Sequence, residues 1–283
     1  MKGQQIIIPA KDGYKLTAIL REPKAKAKGV VQIHCGGGLP QSLYSNFASF
    51  LSENGFVSIT FDYRGIGLSK PNNLKSFKAD PIDWGELDMF GVLDWCIKKY
   101  PEQKKIIAAH SMGGQLVGLM ENNAEIDQLF LIASSTGYWK DMSKPFKWIF
   151  PPIWFSTIPV HNFIFGYTKV KKLKLGENLP KGVANKWWKW SINKNYFEDE
   201  LTKLEKISNY DKIKIPLISI QISDDPIANN ITANNLLKYY KNAKIRIKKI
   251  TPKQLGVNKI GHSGFFSRKF KNTLWKNLVT EII

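Results

Sequence analysis

The chain has 283 residues, 43% of them hydrophobic, which allows one large domain with a buried core or one domain carrying an insertion, and excludes a disordered chain. A formal net charge of +19 invites nucleic acid or an anionic membrane surface as a partner, yet only four of the 42 basic residues are Arg (Arg21, Arg64, Arg246 and Arg268). Lys is a hydrated point charge and Arg the bidentate reader of phosphate and base edges, so this balance argues for compositional bias and against nucleic-acid recognition.

Strand-like and helix-like segments alternate through the first 135 residues. Residues 5–9 and 14–20 read as strands flanking the hairpin turn Lys11-Asp12-Gly13. Residues 30–34 form a β-branched run, a buried strand, broken by Gly36-Gly37-Gly38. A helix is predicted over 42–54, a strand over 56–61, and then the turn Asp62-Tyr63-Arg64-Gly65-Ile66-Gly67. Met89, Val92, Leu93 and Cys96 carry helical spacing within 83–100. A strand over 105–109, a helix over 112–121 and a strand over 127–133 complete this half.

The rhythm stops between about 135 and 209. That stretch holds six of the nine Trp (Trp139, Trp148, Trp154, Trp187, Trp188 and Trp190) and reads as short helices separated by prolines. It resumes with a strand over 215–222, a helix over 230–240, a strand over 244–250 and a helix over 266–282. Such alternation predicts a doubly wound, mostly parallel α/β sheet with helices on both faces. Residues 1–135 and 210–283 form its core, and 136–209 a helical, Trp-rich cap.

The central feature is Ala109-His110-Ser111-Met112-Gly113-Gly114, set between a predicted strand and a predicted helix. A nucleophile on so sharp a turn needs small residues two positions before and after it, here Ala109 and Gly113. The helix N-terminus then aims the Met112 N–H at a developing oxyanion. A second donor is expected from Gly36 or Gly37, whose lack of a side chain lets backbone N–H groups approach a carbonyl. The glycines are not a phosphate loop, because Leu39-Pro40 stands where Gly-Lys-Ser/Thr would be needed. Cys35 has no base of its own and reads as packing.

Serine needs a base, and there are four histidines. His34 ends a strand, His110 should point away from Ser111, and His161 lies in the insertion. His262, in Ile260-Gly261-His262-Ser263-Gly264, follows the last strand and fits the chain order Ser, acid, His. The orienting carboxylate belongs at the end of the 215–222 strand, where Asp224 and Asp225 are adjacent and diverge. Asp225 is favoured because Asp-Pro-Ile after this strand usually begins with the acid. Asp224 remains the alternative, or a turn-capping carboxylate.

Taken together, Asp62-Tyr63-Arg64-Gly65-Ile66-Gly67-Leu68-Ser69, Ala109-His110-Ser111-Met112-Gly113-Gly114, Asp225-Pro226-Ile227 and Gly261-His262 resemble the α/β-hydrolase superfamily over nearly the whole chain. Gly38-Leu39-Pro40-Gln41, Gly176-Glu177-Asn178-Leu179-Pro180-Lys181-Gly182 and Ile260-Gly261-His262-Ser263-Gly264-Phe265-Phe266 are similar to a bacterial group near its serine-aminopeptidase and monoacylglycerol-lipase-like branch. The resemblance implies the hydrolase fold and a Ser-His-Asp triad.

The leading expectation is a serine hydrolase cleaving an ester or thioester through an acyl-enzyme, with no metal or organic cofactor. Its partner is a small acyl substrate, apolar or anionic, since six Trp over one site would make an apolar wall. An aminopeptidase or amidase of the same fold is the alternative. It needs a cap carboxylate for a free amine, from Glu177, Glu198, Asp199 or Glu200, against the Lys excess at Lys169, Lys171, Lys172 and Lys174. A non-catalytic binding protein on this scaffold is a third reading, on which the chain would attach to anionic lipid or nucleic acid. The two cysteines, Cys35 and Cys96, form neither metal-ligand spacing nor a disulfide framework, and the N-terminus lacks a signal-peptide core. A cytoplasmic location without a transmembrane segment is expected, with at most weak contact to anionic membranes.

Overall fold

The computed structural model describes residues 3–171 and 176–282, and at Ser208 the backbone alone. Lys172 and Lys174 therefore lie outside the described residues.

Among the described residues ten strands are formed: β1 (Gln4–Pro9), β2 (Lys15–Arg21), β3 (Val30–His34), β4 (Val57–Phe61), β5 (Lys105–His110), β6 (Gln128–Ile132), β7 (Tyr167–Thr168), β8 (Leu179–Pro180), β9 (Pro216–Ile222) and β10 (Lys244–Ile250). Eight make one sheet in the order β1-β2-β4-β3-β5-β6-β9-β10. The pairs β1–β2 and β2–β4 are antiparallel, and every other neighbouring pair is parallel. Every residue of β3, β4, β5 and β6 is buried. That is what a parallel sheet covered on both faces requires, and it is why these strands read as unbroken runs in the sequence. The outer strand β10 is largely exposed and carries Lys244, Arg246, Lys248 and Lys249, charges that deter pairing at an open edge.

Parallel strands point their C-terminal ends the same way, so the loops after β3, β5, β9 and β10 meet at one rim. The helices differ in detail from their sequence pattern. The helix after β5 is regular only over Met112–Leu116, and a 3₁₀ turn, Val117–Leu119, follows. A Cβ on Gly118 would sit 2.2 Å from the Tyr210 ring, so tertiary packing holds the chain there. The C-terminal segment is not one helix but 3₁₀ turns over Gly264–Phe266 and Arg268–Phe270, a π-type turn over Lys271–Trp275 and one α-turn, Lys276–Val279.

Between β6 and β9 the described residues form short helices and the β7–β8 ribbon, and none of them joins the main sheet. Phe146–Pro152, Ile153–Thr157 and Ile158–Ile164 run on from one another, followed by Lys181–Ile192 and Glu198–Lys203. The Glu177 N–H donates to Gly38 O at 2.7 Å, tying this segment to the glycine loop after β3.

Candidate active site

β5 ends at His110, and Ser111 turns the chain into the next helix with φ 51° and ψ −120°. A non-glycine residue there stores strain of about 1–3 kcal/mol, which the surrounding packing must hold. The two glycines supply the room. A Cβ on Gly113 would lie 2.7 Å from the carbonyl oxygens of both His34 and Cys35, and one on Gly114 2.3 Å from Ser134 Oγ. Helix ends leave carbonyls without intrahelical partners. Here Tyr240 donates to Gly114 O and Tyr210 to Gln115 O, so a five-residue helix is held from outside.

His262 stands on the loop after β10, and its Nε2 is 2.9 Å from Ser111 Oγ. Its Nδ1 is 2.7 Å from Asp225 Oδ2. Asp225 is 2% exposed. Its other oxygen, Oδ1, accepts from the N–H groups of Ile227 and Ala228 at 2.8 and 3.0 Å. Burial raises the Asp225 pKa, but the neighbouring imidazole and these hydrogen bonds outweigh it and hold the carboxyl below its usual range. An ionised Asp225 can only accept, so Nδ1 carries the proton and Nε2 is left to accept from the Ser111 hydroxyl.

Asp224 does not reach the imidazole. Its carboxylate accepts from the N–H groups of Ile260 (2.9 Å) and Gly261 (3.1 Å), the two residues before His262. The neighbouring acids thus divide the work: one touches the ring, the other fixes the loop that carries it. Gly261 has φ 67°, a conformation glycine adopts without strain.

His110 points into the core, as its place on the turn implies, and is fully buried. Its Nε2 lies 3.0 Å from the His262 carbonyl oxygen, which can only accept, so Nε2 is the protonated nitrogen. Its Nδ1 accepts from the Tyr44 hydroxyl at 2.8 Å. Burial lowers the His110 pKa to about 3, with the nearby His262 adding to it.

This run of bonds corrects one expectation. The Gly36 N–H donates to Tyr44 Oη at 2.8 Å and faces the core, so Gly36 is not available to an oxyanion. Gly37 lines the cavity beside Met112, whose Sδ would lie 3.0 Å from a Cβ added there. Met112 opens its helix, so its N–H has no intrahelical acceptor. Cys35 is buried, donates to Phe61 O, and its thiol is pushed up by burial, which suits packing and not nucleophilic chemistry.

The cavity over Ser111 has a volume of about 160 Å³. Its floor is Gly37, Ser111, Met112 and His262, and its walls include Met142, Phe146, Phe150, Trp154, Ile158 and Trp187. The expected wall of six tryptophans is therefore two, Trp154 and Trp187. Trp190 instead packs on Tyr196 and Phe197, and Trp148 is turned outward. No carboxylate and no Lys or Arg lines this cavity among the described residues. Glu177 pairs with Lys171 and Glu200 with Lys186, Glu198 accepts from Tyr239, and Asp199 from Asn193 and Asn195.

The sequence singled out other motif residues without roles, and the structure supplies them. Asp62 accepts from the backbone and side chain of Gln41, so it anchors the far end of the glycine loop. Arg64 is clamped between Asp88 and Asp12. Tyr44 was missed altogether, because nothing in its local sequence marks a hydroxyl that joins Gly36 to His110.

A model of the family described as serine aminopeptidase, S33, matches residues 25–251. A search of curated proteins by sequence found no match. Among solved structures, the fold is similar to a soluble variant of monoglyceride lipase from Saccharomyces cerevisiae, solved with a substrate analog, at TM-score 0.70 and 16% identity, covering 99% of this chain and 94% of that one. An esterase of Pyrococcus furiosus matches at TM-score 0.56 and 14% identity, over 99% of this chain and 92% of that one. A lidless α/β serine hydrolase of Xanthomonas campestris matches at 0.56 and 14%, over 100% and 96%.

Proposed function

The chain belongs to the serine aminopeptidase, S33, family, and from the site it carries we propose a serine hydrolase that cleaves esters or thioesters of apolar acyl groups. The observation that supports this reading is the continuous run Asp225–His262–Ser111 at the floor of an apolar cavity. Ser111 Oγ attacks the acyl carbon while His262 Nε2 takes its proton. The oxyanion of the tetrahedral intermediate is held by the N–H groups of Met112 and Gly37. His262 then gives the proton to the departing alcohol or thiol. Water, activated by the same nitrogen, releases the acid from the acyl-enzyme and restores Ser111.

The substrate class follows from the lining. An aminopeptidase must hold a substrate ammonium, and an uncharged wall offers it no counter-ion. The same wall disfavours an anionic acyl group. Each methylene moved from water into such a cavity contributes about 0.8 kcal/mol. A p-nitrophenyl ester series should therefore rise about tenfold or more in kcat/KM from acetate to hexanoate. A fluorophosphonate probe should label the protein, and Ser111→Ala should abolish both labelling and turnover while remaining folded. Retained turnover in that variant, or faster cleavage of aminoacyl-arylamides than of esters, would overturn the proposal.

A further inference from the structure

The cavity uses one face of the helical run over residues 146–164, and the opposite face is apolar too. Phe146, Phe150, Trp154 and Ile158 line the cavity. Trp148, Ile149, Phe155, Val160, Phe163 and Ile164 are exposed, Trp148 at 63% and Phe163 at 91%. At about 100° per residue they share the half of the helix turned away from the cavity, a broad stripe along about 28 Å of helix. A contiguous apolar stripe of this kind marks a surface that docks on something.

The charge around it identifies the partner. From Asp141 to Glu177 the sequence holds six Lys (Lys144, Lys147, Lys169, Lys171, Lys172 and Lys174) and no acidic residue between them. An apolar stripe whose own segment carries Lys144, Lys147 and Lys169 and no acidic residue matches a bilayer of anionic phospholipid, in which the rings enter the acyl boundary and the ammonium groups meet the headgroups. A second copy of the chain is a poor fit, since it would face lysines with lysines on a molecule already at +19. A segment docked in this way would lie on a membrane and not cross it. It carries Pro151, Pro152 and Pro159, and among the described residues no helix is long and apolar enough to span.

We propose that the outer face of residues 146–164, opposite the face that walls the cavity over Ser111, docks the protein on anionic phospholipid membranes. The docking does not depend on what Ser111 attacks, so it is measured on the Ser111→Ala protein. In co-sedimentation, this protein should bind vesicles of phosphatidylcholine with phosphatidylserine, bind pure phosphatidylcholine less, and be released by salt. Adding Trp148→Glu and Phe163→Glu should reduce the partition coefficient about tenfold or more. Neither side chain lines the cavity, so in the Ser111 background this pair should leave turnover of a short, soluble ester unchanged, which reports the fold. Absence of vesicle binding, or equal binding by the double variant, refutes the proposal. A dimer that the double variant dissociates, without vesicle binding, also refutes it and assigns the stripe to a second copy.

Discussion

Asp225→Asn separates the ring-holding carboxylate from its neighbour, and the structure dictates what the new amide must do. Asp225 Oδ1 accepts two backbone N–H groups, from Ile227 and Ala228. An asparagine can satisfy both only with its oxygen in that position. Its NH₂ is then forced toward His262 Nδ1, 2.7 Å away, where a donor faces what was a donor. The imidazole must move its proton to Nε2, and the nitrogen facing Ser111 becomes a donor where catalysis needs an acceptor. Loss of the correct tautomer costs about 1,000- to 10,000-fold in kcat, equivalent to about 4–5.5 kcal/mol of transition-state stabilisation. The assay is p-nitrophenyl ester turnover with active sites counted by a fluorophosphonate and folding followed by thermal melting. Asp224→Asn is the control, because it keeps an oxygen for Ile260 or Gly261 and does not touch the ring; about tenfold or less is expected. An Asp225→Asn protein that keeps a tenth of the activity refutes this assignment of the tautomer. A folded Asp224→Asn that loses as much as Asp225→Asn refutes the division of labour between the two acids.

Three further outcomes follow from the same network. Tyr44→Phe leaves the Gly36 N–H and His110 Nδ1 buried without their shared partner, so urea unfolding should show a loss of about 1–3 kcal/mol, with a lower kcat as the His262 loop slackens. Gly113→Ala puts a Cβ against two backbone oxygens that cannot yield, and should cost several kcal/mol or leave the protein insoluble, as melting and expression will show. His34 and His110 are wholly buried, and burial lowers both to about 3. Their folded values lie below the unfolded value of about 6.5, so the unfolded chain takes up protons as pH falls through 6.5. Stability should therefore be full only well above that pH and drop by about 1.4 kcal/mol per histidine at pH 5.5, and His34→Gln should remove about half of the drop in urea titrations.

The sheet was legible because its central strands are buried on both faces and so stand out as short apolar runs between turns. Ser111 and His262 were legible from their place after strands, in a fixed chain order. Backbone donors were not. Gly36 and Gly37 are identical as letters, and only the Tyr44 hydroxyl, brought alongside by the helix after the glycine loop, decides which N–H is already used. Asp225 was favoured over Asp224 only by the run Asp-Pro-Ile, because a one-residue step along the chain reverses the direction of a side chain and the sequence does not show which way the loop faces. The tryptophans failed for a related reason. Counting Trp148 and Trp154 as one wall ignores helical phase: six residues apart they are about 240° out of register, and one lines the cavity while the other faces outward.

His262 is held from three independent directions, and this changes what its position depends on. Asp225 takes the ring, Asp224 takes the backbone N–H groups before it, and His110 takes its carbonyl. Two of these contacts fix the loop and one fixes the imidazole within it. A loop that was free to move would spread the Nε2–Oγ distance, and proton transfer needs heavy atoms within about 2.6–3.2 Å. The strained Ser111 is fixed just as externally, by glycines that admit β3 and β6 and by tyrosines that complete a helix too short to complete itself. Neither partner of the 2.9 Å contact is therefore positioned by its own element alone. The contact is a property of the rim where four parallel strands end, which is why residues as distant as Tyr44 and Tyr240 belong to its account.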